Sequence, residues 1–88
     1  VKEQVDQLTH SPTLYASEPM TRLAAKLAEI TPGRALTRSF FTSSGTEANE
    51  VAVLTARCAT GNDDIVALRY SYHGRSALAM AMTGQSLW

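Results

Sequence analysis

The chain has 88 residues, 44% of them hydrophobic, enough for one small and marginally stable domain and too apolar for a disordered segment. Eight basic residues balance eight acidic ones, and the arginines are dispersed, which argues against nucleic acid or an anionic membrane as main partner. A single cysteine, Cys58, excludes an internal disulfide framework and fits a reducing compartment, and no apolar stretch is long enough to span a bilayer.

From Val1 to Tyr15 the pattern is weak, and Ser11-Pro12-Thr13 favours an extended or turning lead-in. Ser17 is placed to cap a helix whose first turn holds Glu18 and Pro19. Met20, Leu23, Leu27 and Ile30 follow at helical spacing beside Ala24 and Ala28, until Pro32-Gly33 stops the helix. Ser39-Phe40-Phe41-Thr42 reads as a buried strand, broken by Ser43-Ser44-Gly45. A second helix is expected from about Thr46 to Ala59, with Ala48, Val51, Ala52, Thr55, Cys58 and Ala59 on one face. Gly61-Asn62-Asp63 turns the chain into Ile65-Val66-Ala67-Leu68, a continuous apolar run typical of a strand covered on both sides. Tyr70 to Gly74 is a loop, and a third helix begins at Ala77 and ends near Gly84. The order helix, strand, helix, strand, helix over residues 16–88 predicts an α/β fold with a mostly parallel sheet. With Val1 at one end, uncovered Leu87-Trp88 at the other and no terminal cap or linker, the chain reads as an excerpt.

The segment from Phe40 to Glu50 is the chemical centre, running strand, small-residue turn, helix start. The first N–H groups of a helix lack intrahelical partners and lie at the positive end of its dipole. Gly45 lets the backbone approach an anion, and Ser44 and Thr46 add hydroxyls, so the turn can take a phosphate monoester. Ser44-x-x-Glu47 is equally a plain capping box. Glu47 and Glu50 must point away from any bound anion. Neither the Rossmann glycine fingerprint nor the P-loop pattern is present.

Tyr70-Ser71-Tyr72-His73-Gly74 follows the second strand. Ligands of open α/β sheets sit at the carboxyl ends of strands, which places Tyr72 near the Ser44–Thr46 turn, where its ring can stack on a flat heteroaromatic. Packing or solvent exposure of the Tyr-His pair is the competing reading.

Ser44-Gly45-Thr46-Glu47-Ala48-Asn49-Glu50 followed by Tyr72-His73-Gly74-Arg75 resembles the class III aminotransferases. Leu23-Ala24-Ala25-Lys26-Leu27 with Thr31-Pro32-Gly33, and Ala56-Arg57 with Thr60-Gly61 and Asp64-Ile65-Val66, extend the likeness over nearly the whole chain. Thr83-Gly84-Gln85-Ser86 with Trp88 is similar to the alanine–glyoxylate (3-aminoisobutyrate–pyruvate) branch. The resemblance implies that residues 1–88 are a piece of the large cofactor domain of a fold-type I transferase, with 1–15 as lead-in. It implies pyridoxal 5'-phosphate as cofactor. The phosphate would be held by Gly45 and Thr46 with Ser44 adjoining, Tyr72 would lie against the pyridine ring, and His73 would support the ring environment. Ser43 stands where the family often has Asn. A homodimer, small amino-acid and 2-oxo-acid substrates, and a cytoplasmic or mitochondrial location are expected on the same ground.

The lysine that binds the cofactor covalently in that family lies far downstream, as does the aspartate that pairs with the pyridinium nitrogen. Here only Lys2 and Lys26 occur, both upstream of the turn, so no residue is assigned a catalytic role, no metal ligands are read, and the chain alone is expected to be inactive. Three readings remain open. One is a transaminase piece whose parent moves an amino group from alanine or a β- or ω-amino acid to glyoxylate or pyruvate. Another is an aminomutase or racemase of the same fold. The last is a non-catalytic phosphate-binding or structural α/β module.

Overall fold

The computed structural model of the chain describes residues 1–84. It divides into two compact units, Val1–Phe40 and Phe41–Trp88. Leu87 and Trp88, expected to be uncovered, lie outside the described residues, as do Gln85 and Ser86.

In the first unit, α1 (Lys2–Gln7) occupies part of the segment expected to be an extended lead-in. Lys, Glu and Gln are good helix formers and Glu3 sits in the first turn, which suffices for one short helix although no side chain caps it. The Ser11-Pro12-Thr13 turn is present, with the Tyr15 N–H donating to the Pro12 carbonyl at 3.1 Å. Helix α2 (Glu18–Ile30) starts after Ser17, but Ser17 offers its carbonyl rather than its hydroxyl, accepting from Thr21 Oγ1 at 3.0 Å. It stops where expected, because the residue before a proline avoids the helical region: Thr31 turns extended (φ −65°, ψ 128°) and a 3₁₀ turn covers Pro32–Arg34. The apolar stripe has no buried member, and Leu23 and Ile30 remain 50% and 61% exposed.

The second unit is built on α3 (Gly45–Thr60) and the short α4 (Ala77–Ala81). Helix α3 ends at Gly61 in a left-handed cap, with Arg57 Nε 2.8 Å from Asp63 across the turn. Ser76 caps α4 by accepting from the Ala79 N–H at 3.1 Å. Val53, Ala79 and Met82 form the buried apolar core among the described residues.

Two expectations are corrected here. The runs 39–42 and 65–68, read as buried strands, form no ladder among the described residues, and Phe40, Val66 and Leu68 are 76%, 98% and 79% exposed. A strand needs a partner at hydrogen-bonding distance, and the described chain supplies only the isolated parallel bridge Arg69–Gly84. The α3 face of Ala48, Ala52, Thr55, Cys58 and Ala59 is likewise exposed, whereas the opposite face carrying Val53 packs on the rest of the unit.

The bridge depends on Gly84. Tyr70 N donates to the Gly84 carbonyl at 2.8 Å, and a Cβ at 84 would stand 2.5 Å from the Leu68 carbonyl oxygen and 2.9 Å from Arg69 Cα. These neighbours are backbone and cannot swing aside. Gly84→Ala is expected to destabilise the protein by roughly 1–3 kcal/mol, an overpacking cost visible as a lower thermal midpoint.

Candidate cofactor site

The turn before α3 is ordered by its own polar side chains. Ser44 caps the helix, its Oγ accepting from the Glu47 N–H at 3.2 Å, while Glu47 Oε2 accepts from the Ser43 N–H at 2.8 Å. This reciprocal box differs from the usual one only in that the glutamate reaches one residue further back. Thr42 Oγ1 closes the approach by donating to the Ser44 carbonyl at 3.0 Å.

The box leaves a defined remainder. The N–H groups of Gly45 and Thr46, and the Thr46 hydroxyl, have no partner among the described residues. They stand at the positive end of a 16-residue helix. The two carboxylates of the first turns are engaged elsewhere: Glu47 by Ser43, and Glu50 by the hydroxyl of Ser76. Free donors at a helix start, with the nearby negative charge already bound, are what an anionic oxygen cluster requires.

The structure brings the Tyr72 loop against this helix start. Gly74 is buried at φ +126°, and a Cβ there would lie 2.2 Å from Thr46 Oγ1 and 2.8 Å from Thr46 Cβ. Only glycine allows that approach at that backbone angle. Asn49 Nδ2 donates to the His73 carbonyl at 2.7 Å, and the His73 N–H reaches Thr83 Oγ1 at 3.4 Å, which itself donates to the Ala79 carbonyl at 2.8 Å. Tyr72 is half-exposed, with the Arg75 guanidinium 6.0 Å from its ring centroid. His73 is half-buried, and its Nδ1 is buried without a partner among the described residues.

Of the five residues singled out from sequence, Ser44 is therefore occupied as a cap. Gly45 and Thr46 present open donors, and Tyr72 and His73 ride on a loop packed against Thr46. Sequence reasoning missed Asn49, Glu50, Ser76 and Thr83, which hold that loop. The signal was available in the spacing, since 46, 49, 50 and 53 share one helical face. A depression of about 520 Å³ lined by Glu3, Gln7, Glu18 and Arg22 lies in the first unit.

The class-III aminotransferase family model matches residues 1–87, so the chain belongs to that family. It is 46% identical over its whole length to alanine–glyoxylate aminotransferase 2 homolog 2, mitochondrial, of Arabidopsis thaliana, covering 18% of that protein. It is 42% identical over 97% of its length to acetylornithine aminotransferase of Mycobacterium leprae, and 46% identical over the same share to that of Mycolicibacterium smegmatis, covering 21% of each. The chain thus spans about a fifth of the length of these relatives. No solved structure matches it. The family is pyridoxal-phosphate dependent and of fold type I, an α/β class.

Ser44→Ala removes the side-chain cap of α3 and is expected to cost about 1 kcal/mol of stability, read from denaturant unfolding, with Ser44→Gly costing less.

Proposed function

We propose that the chain is part of the cofactor-binding domain of a pyridoxal-phosphate-dependent aminotransferase. In this reading the complete protein transfers an amino group from an amino acid, alanine or a β- or ω-amino acid, to a 2-oxo acid such as glyoxylate or pyruvate. The observation that carries the reading is the pair of open N–H groups at Gly45 and Thr46, held against the loop that bears Tyr72. The similarity to an alanine–glyoxylate aminotransferase homolog supports the donor and acceptor chosen.

The residues present suit the cofactor. Gly45 and Thr46 would bind its phosphate through two N–H groups and one hydroxyl, with Ser44 fixing the helix end they stand on. Tyr72 would cover one ring face, and Gly74 keeps its loop close enough to the phosphate donors to serve one small molecule. The buried, unpartnered Nδ1 of His73 supports a role lining the ring environment. When bound, pyridoxal phosphate supplies the electron sink for carbanion chemistry at the substrate Cα. This chain's residues bind and orient it. Lys2 and Lys26 both precede the turn in sequence, and neither is assigned proton transfer.

The same reading accounts for the exposed segments. Runs 39–42 and 65–68 would pair as strands of the complete sheet, with residues 16–88 contributing helix, strand, helix, strand, helix after the lead-in. The exposed apolar face of α3 would be covered within that domain, and a homodimer is the expected assembly. An aminomutase or racemase would use the same phosphate turn.

The test is the visible spectrum of the full-length protein with pyridoxal phosphate before and after L-alanine. Conversion to the pyridoxamine phosphate spectrum is the expected result. A stable band would move the assignment to another donor or to the isomerase chemistry, and no band would leave the turn as a helix cap. Thr46→Ala is expected to weaken pyridoxal phosphate about tenfold, the loss of one charge-assisted hydrogen bond, while leaving phosphate-free pyridoxal unaffected.

A further inference from the structure

An asparagine in the second turn of a helix is ordinarily a solvated residue that slightly disfavours the helix. Asn49 is instead half-buried, and its amide reaches a carbonyl 24 residues further along the chain, that of His73, at 2.7 Å. The partner is a carbonyl, which only accepts, so the amide must present Nδ2 as donor. On one side of this bond Thr46 packs against Gly74; on the other Glu50 accepts from Ser76. The loop is thus fastened to one helix face at three successive points, and the middle point is the peptide carbonyl of the residue directly after Tyr72.

We infer that Asn49 is a positioning residue for the cofactor ring, setting where Tyr72 stands relative to the phosphate donors of Gly45 and Thr46. The inference rests on the cofactor reading above. Asn49 acts on Tyr72 through the backbone of His73. Without the amide, the half-buried His73 carbonyl loses its donor, and the Tyr72 ring loses its reference to the helix start.

The experiment is a double-mutant cycle on the full-length apoprotein, titrated with pyridoxal phosphate and followed by the visible circular dichroism of the bound cofactor. Asn49→Asp keeps the size of the side chain and removes both donors. It is expected to weaken the cofactor about tenfold and to reduce the dichroic amplitude per bound cofactor. Tyr72→Ala should then cost less affinity in the Asn49→Asp background than alone, because the ring is already misplaced. Strictly additive losses, with unchanged dichroic amplitude, would overturn the positioning role and leave Asn49 as a stabiliser of the fold. If Asn49→Asp does not fold, Gly74→Ala displaces the same loop from Thr46 and must show the same non-additivity with Tyr72→Ala. Unchanged cofactor affinity in both Thr46→Ala and Tyr72→Ala would instead overturn the cofactor reading itself, and the positioning role with it.

Discussion

The second unit depends on the start of one helix. The reciprocal bonds of Ser44 and Glu47 fix where α3 begins, and that choice decides which N–H groups stay open and which face of the helix meets the following loop. Shift the start by one residue and every side chain rotates by about 100° around the axis. Thr46 would then leave Gly74, Asn49 would lose the His73 carbonyl, and Glu50 would lose Ser76. A local cap thereby sets a contact between segments more than twenty residues apart.

Electrostatics at this helix start are arranged rather than merely favourable. Two glutamates in the first turns would repel an anion if their carboxylates were unengaged. Each has a donor of its own, Ser43 for Glu47 and Ser76 for Glu50, so their charge is tied into the scaffold. The residue types that look adverse in a phosphate turn are here the ones that hold the turn and the adjoining loop in place.

What was legible in the sequence follows the range of the forces involved. Helices α2 and α3 were readable because caps and stops are local: Pro32, Ser44 and Gly61 act within a few residues. Helix α1 was missed because six residues with one apolar member, Val5, make no periodic signature. Runs 39–42 and 65–68 have strand composition, yet a ladder needs neighbours that the described residues do not provide. At the site, the turn and the Tyr72 loop were readable from their chemistry. The Asn49 and Glu50 contacts were passed over: their positions share one helical face with 46 and 53, yet polar residues on such a face read as solvated when their distant partners are unknown.

The exposed run Ile65-Val66-Ala67-Leu68 carries a consequence for biosynthesis. Four uncharged apolar residues with strand composition are a template for self-association while a polypeptide is emerging from the ribosome and its sheet neighbours are still missing. The run is fenced by Asp63 and Asp64 on one side and Arg69 on the other. Charges at both borders oppose in-register stacking of identical nascent chains, where like would meet like, yet leave the run free to pair with a different strand.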